Sequence, residues 1–119
     1  MSIQDWQKGC EETEKLLGHL AQEAKNFAPP TTETGQLLFN AWIKDLEDAQ
    51  NEARQDAEHD EEGPIKRALR LEANKLRAFV SELNEDLPDM DPPERTICRR
   101  WRDPFRQEAD LCRDLKSTL

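Results

Sequence analysis

The chain is expected to fold as an all-α, antiparallel up-down-up-down four-helix bundle. Three observations carry that expectation. Apolar residues recur at alternating spacings of three and four along four segments, the signature of helices that lie lengthwise against one another. Proline-bearing loops of about four to seven residues separate the segments, short enough to make neighbours antiparallel. The chain is also 36% charged and only 35% hydrophobic, a balance that suits helices hiding one stripe each and leaving the rest in water. Low hydrophobicity alone would equally fit a disordered chain. The regular apolar period, three Trp and four Phe argue for order. At 119 residues, positions 1–119 are read as one helical-bundle domain.

The first helix is expected from Ile3 to Phe27. Its seam of Ile3, Trp6, Cys10, Thr13, Leu17, Leu20, Ala24 and Phe27 is the most regular in the chain. Ser2 is placed to cap it, Asp5 favours the positive end of the helix dipole, and Pro29 and Pro30 stop it. The second helix is expected from Thr34 to Asp60, along Phe39, Trp42, Leu46, Ala49, Ala53 and Ala57. Its seam fades from large to small residues, so its second half should bury little area.

Glu62-Gly63-Pro64 breaks the chain, with Pro64 suited to the first position of the third helix. That helix carries Ile65, Leu69, Ala73, Leu76, Val80, Leu83 and Leu87, with Leu71 and Phe79 expected to widen the stripe. Pro88 closes it. Asp91-Pro92-Pro93-Glu94 then opens the fourth helix, which carries Ile97, Cys98, Trp101, Phe105, Cys112, Leu115 and Leu119. Pro104 is expected to kink or briefly break this helix, because the seam phase survives across it. The alternative is a fresh helix capped by Asp103. In the antiparallel arrangement Phe27, Phe39, Trp42, Phe79, Trp101 and Phe105 share one end, and Trp6, Ala53, Ala57, Ile65 and Leu115 the other. Residues outside the seams, such as Leu16, Leu37, Leu38, Ile43 and Leu71, either widen the core or form a second face for a homodimer.

The net charge of −9 disfavours direct nucleic-acid binding and attachment to anionic membranes. No apolar run approaches the ~20 residues that span a bilayer, and the N-terminus lacks the basic-then-apolar pattern of a secretory signal. Cys10, Cys98 and Cys112 are odd in number and form no CxxC pair, which points to reduced thiols and a cytoplasmic protein. All three fall on seams, where they read as small core residues. Cys98 and Cys112 are also ~21 Å apart along a continuous helix at 1.5 Å per residue, too far for a disulfide.

Charge is unevenly spread. Residues 31–63 hold ten acids against Lys44 and Arg54, a net of −8, whereas residues 91–119 hold seven bases against six acids. Arg95, Arg99, Arg102, Arg106 and Arg113 form a stripe along the fourth helix. It is read either as a salt-bridged face or as a docking face for an acidic or phosphorylated partner. Asp56, Glu58, Asp60, Glu61 and Glu62 cluster where the second helix should end, against the local dipole. Lys66, Arg67 and Arg70 follow, so the cluster either neutralises them across the turn or receives a basic partner.

No catalytic, cofactor or metal site is expected. There is no Glu-x-x-His pair of the ferritin-like kind, no Gly-rich phosphate loop, and no Ser or Cys with a convincing base. The reading is therefore a small acidic protein that acts by binding another protein, as an adaptor, regulator, inhibitor or assembly factor. A narrower version is an acidic mimic of nucleic acid. The alternative is a magnesium-dependent nucleotide hydrolase. Glu11 and Glu14 match the Glu-x-x-Glu spacing of MazG-type all-α pyrophosphohydrolases, and Asp45 and Asp48 approximate its partner motif, which is similarity of architecture alone. A thermal melt with Mg²⁺ and nucleoside triphosphates separates the two readings. A binding protein keeps its melting temperature, whereas a rise favours the hydrolase.

Overall fold

The computed structural model describes residues 3–26, 33–90 and 92–117. They form α1 (Ile3–Lys25), α2 (Glu33–Asp56), α3 (Glu62–Asp86), a short 3-10 turn (Leu87–Asp89), α4 (Pro92–Arg100) and α5 (Arg102–Ser117). The last two helices make one bent limb, so the architecture is the antiparallel up-down-up-down four-helix bundle that the apolar period predicts. The rod measures 48 × 20 × 15 Å. It consists of two pairs, α1 on α2 and α3 on α5, with α1 also packed against α3 and α5. The contact of α2 with α3 is slight. Ser2, Phe27, Pro29, Pro30, Asp91 and Leu119 lie outside the described residues.

Every described seam residue of α1 beyond Ile3 is buried, and Gly9 and Ala21 join them. Gly9 permits a close approach: a Cβ there would run into the side chain of Leu115. The aromatic end assembles as expected. Trp42 lies 5.6 Å from Phe79, 6.0 Å from Trp101 and 6.5 Å from Phe105, centroid to centroid. Phe79 and Phe105 are 5.5 Å apart. The Trp42 indole N–H also donates to Asp86 Oδ2 at 2.9 Å, which satisfies the ring's polar edge. At the opposite end a smaller core gathers Trp6, Cys10, Ile65, Leu69, Ala73 and Cys112, with Ile3, Ala57 and Leu115 partly buried against it.

The fourth limb breaks at Trp101, three residues before Pro104. A proline ring collides with the carbonyl four residues earlier and offers that carbonyl no N–H, and here that carbonyl belongs to Arg100. The chain responds with a tight turn, Trp101 N–H donating to Cys98 O at 3.0 Å. It resumes the helix as Phe105 N–H donates to Trp101 O, also at 3.0 Å. Asp103 is therefore inside the first turn of α5 and is not the cap of a fresh helix.

Three further expectations need correction. Helix α2 ends at Asp56 rather than Asp60, and α3 begins at Glu62, before Pro64. Pro64 still sits in the first turn, where its missing N–H costs nothing. Leu71 does not widen the α3 stripe: it is 57% exposed, whereas Phe79 is buried. Among the residues outside the seams, Leu16, Leu38 and Ile43 pack on the core but Leu37 stays exposed.

The three cysteines are free and buried, as small core residues should be. Burial pushes the Cys98 and Cys112 thiols up to about 12 and raises that of Cys10 further, so all three stay protonated. Among the described residues no helix is long and apolar enough to cross a membrane.

The aromatic junction sets a stability test. Phe105 is completely buried and Leu111, on the same helix, is 55% exposed. Phe105→Ala is expected to cost about 3–5 kcal/mol of unfolding free energy in urea titration. Leu111→Ala should stay within about 0.5 kcal/mol of the parent.

Candidate functional site

The arginine stripe is not uniform. At its start Arg95 is half-buried and spent on the fold, its guanidinium donating to the carbonyls of Leu87 at 3.0 Å and Met90 at 2.8 Å. It thereby adds a second donor to Leu87 O, which already accepts the Met90 N–H, and ties the 3-10 turn to α4. At its end Arg113 pairs with Asp110 at 3.7 Å and Asp114 at 3.4 Å. The middle is different. Among the described residues, Arg99 and Arg106 have no acid within ion-pairing distance, and Arg102 makes only a 3.0 Å hydrogen bond to Asn84 Oδ1.

The bend at Trp101 adds a residue that helical spacing had placed off the stripe. Arg100 joins Arg99, Arg102 and Arg106 around a shallow depression of about 470 Å³, which Thr96 and Asp103 complete. Like Arg99 and Arg106, Arg100 is unpaired among the described residues. Four guanidinium groups thus share one concave surface with a single carboxylate between them. Their planar forks suit carboxylates and phosphates, and apart from the one N–H that Arg102 gives to Asn84 they are available to a ligand.

The acidic cluster is a loop more than a helix end. Only Asp56 lies in the last turn of α2; Glu58, Asp60 and Glu61 occupy the connection, and Glu62 starts α3, where the dipole favours it. The connection is tied to α1 by Gln7, whose amide donates to His59 O at 2.7 Å. Neutralisation across the turn is not what holds it. Among the described residues none of these five acids pairs with Lys66, Arg67 or Arg70, which line a separate shallow surface with Gly63. Other acids of α2 do pair: Glu47 with Lys25 at 3.1 Å and Glu52 with Lys75, while Arg54 meets Glu14 at 2.8 Å.

Glu72, Glu94 and Glu108 are buried; Glu94 belongs to the expected helix start, but Glu72 and Glu108 escaped the sequence reading. The signal was present. Leu69, Glu72, Leu76, Phe79 and Leu83 step by three, four, three and four, and Phe105, Glu108, Cys112 and Leu115 by three, four and three. Each acid occupies a seam position. Glu108 is accommodated by Thr13, whose hydroxyl donates to Glu108 Oε1 at 2.9 Å and lies 3.4 Å from Cys112 Sγ. Neither carboxyl oxygen of Glu72 has a hydrogen-bond partner of good geometry, although Cys10, Thr13 and Asp56 are its polar neighbours. Burial, reinforced by the neighbouring Asp56, pushes Glu72 up to about 9. Burial also raises Glu108, with the Thr13 hydrogen bond opposing.

The hydrolase residues do not converge. Glu11, Asp45 and Asp48 are exposed and Glu14 is engaged by Arg54. Among the described residues no three His, Cys, Asp or Glu side chains are placed to hold a metal ion. No protein family, curated protein or solved structure matches the chain.

Glu72 makes stability depend on pH. In the unfolded chain it ionises near pH ~4.3, but in the fold it keeps its proton until about pH 9. Between those values the native state binds more protons, so its contribution is complete below about pH 4 and is lost as pH rises toward 9. Glu72→Gln removes this term. The variant should match the parent near pH 4 and grow progressively more stable than it toward pH 9, as read from urea midpoints at pH 4, 7 and 9.

Proposed function

We propose that this protein acts by binding another protein through the arginine cluster at the α4–α5 bend, and that the partner presents carboxylates or phosphate groups there. The observation behind this reading is that Arg99, Arg100 and Arg106 have no ion pair among the described residues, in a chain with 26 acidic residues. So many acids make internal pairing easy, yet even Asp103, which lines the same depression, is not ion-paired with them. Arg102 is steadied by Asn84, which favours one geometry over a mobile fringe. The depression is shallow, suited to a protruding side chain or backbone segment more than to an engulfed small substrate.

The acidic loop and the arginine cluster lie far apart on the rod. The loop bearing Asp56, Glu58, Asp60, Glu61 and Glu62 adjoins the first turn of α3, whereas Arg102 bonds near that helix's last turn. The 25 residues of α3 separate them by about 37 Å at 1.5 Å per residue. An acidic loop and an arginine cluster so far apart suit an adaptor or regulator that meets two surfaces of opposite sign.

Affinity capture on the immobilised full chain tests the assignment. Proteins retained from native extract by the parent and released at about 1 M salt, where the Debye length is about 3 Å, should be lost from Arg99→Glu/Arg102→Glu/Arg106→Glu. Arg95 is left intact because it supports the fold. An unchanged captured set overturns the arginine-cluster reading.

A further inference from the structure

A cavity of about 370 Å³ opens where α2 and α3 touch least. Its existence follows from the fading seam of α2: Ala49 lines it, and alanines cannot reach across to α3. The walls divide by chemistry. Leu17, Leu76 and Phe79 supply an apolar side, while Thr13, Gln55, Asp56 and Glu72 supply oxygen acceptors. At the mouth, Lys75 of α3 is paired with Glu52 of α2, so the lysine charge is already neutralised. The volume falls in the range of about 300–1,000 Å³ typical of small-molecule sites.

The decisive feature is Glu72. It is 93% buried by its 7% exposure, it lines this cavity, and both its carboxyl oxygens lack a partner. A buried carboxyl with neither oxygen bonded is an expensive arrangement, and such groups in native structures call for an explanation. We propose that the cavity between α1, α2 and α3 binds a small organic ammonium ion with an apolar body, its charge held by Glu72 and Asp56. A primary ammonium has three donors, and the two carboxylates with Thr13 or Gln55 supply three acceptors. The hydrocarbon body then lies against Leu17, Leu76 and Phe79.

A metal ion fits less well, because no three suitable ligands converge among the described residues. The Lys75–Glu52 pair spans the mouth, and its parting and re-forming would admit the ligand and close over it.

Binding is linked to protons. Without ligand, Glu72 holds its proton until about pH 9. The ammonium displaces that proton to solvent, leaving a carboxylate–ammonium pair with the ligand's own charge unchanged. The charged and titratable neighbours are Cys10 on α1, Glu52 and Asp56 on α2, Lys75 on α3, and Glu108 and Cys112 on α5. Both thiols stay protonated over the same range, Glu52 and Lys75 satisfy one another, and Thr13 occupies Glu108. Glu72 is thus the group that exchanges its proton for the ligand.

The test is calorimetric titration of the full chain with phenethylamine and hexylamine, and with the neutral 2-phenylethanol and hexanol as controls. At least one amine should bind, at least tenfold more tightly than its alcohol. Its affinity should rise about tenfold per pH unit between pH 6 and 8, the slope for displacement of one proton. Glu72→Gln, a near-isostere of the protonated acid, should weaken binding at pH 8 by more than tenfold and abolish the slope. Asp56→Asn, on a partly exposed residue, should weaken binding while retaining the slope, and it serves as the second reading if Glu72→Gln does not fold. The proposal is overturned if neither amine binds at pH 8.5, if the alcohols bind equally well, if affinity is flat with pH, or if folded Glu72→Gln binds like the parent.

Discussion

The fold turns on the packing of Trp42 against Phe79, Trp101 and Phe105. This one indole, on α2, touches α3, the bend and α5, and its N–H is tied to Asp86 at the far end of α3. A helix broken by proline forfeits backbone hydrogen bonds and loses its straight course. Here the break falls where four aromatic rings converge, so buried apolar area compensates for the lost backbone pairing. The bend at Trp101 is held as a fixed corner, and the arginine surface outside it inherits that definition.

The opposite half of the rod is built differently. Alanines along α2 provide little area, α2 and α3 barely meet, and the space between them is left as a cavity instead of a packed seam. Packing of a few large rings at one end and small residues around Glu72 and Glu108 at the other separates two tasks. The aromatic end supplies rigidity, and the thin end tolerates a polar interior that a tightly packed core would reject. Glu108 is compatible with that interior because Thr13 meets it; Glu72, with no such partner, stays protonated and makes the thin end sensitive to pH.

Charge follows the same division. The Arg99, Arg100, Arg102 and Arg106 cluster sits at the aromatic corner and the acidic loop at the thin pole beside Lys66, Arg67 and Arg70, while pairs such as Lys25–Glu47 and Glu14–Arg54 link α1 to α2. Exposed pairs of this kind contribute only about 0–1 kcal/mol each. They set how adjacent helices face one another more than they stabilise them. The groups left over at the two ends are those the fold does not use.

Most of the architecture was legible in the sequence, because helical periodicity is a local property: spacings of three and four determine which residues share a face wherever the helix is placed. The four seams, the shared aromatic end and a break near Pro104 all follow from it. Periodicity also held the clue to Glu72 and Glu108, at seam spacing in the midst of apolar residues. Whether an acid at such a position is paired, protonated or facing a cavity depends on the neighbouring helices, which no local pattern specifies. The same limit applies to the arginines. Spacing grouped Arg95 through Arg113 on one stripe, but only tertiary structure assigned Arg95 to the carbonyls of the 3-10 turn, paired Arg113 with its neighbours and brought in Arg100. The seams were set by distances along one helix; the free charges and the cavity were set by distances between helices.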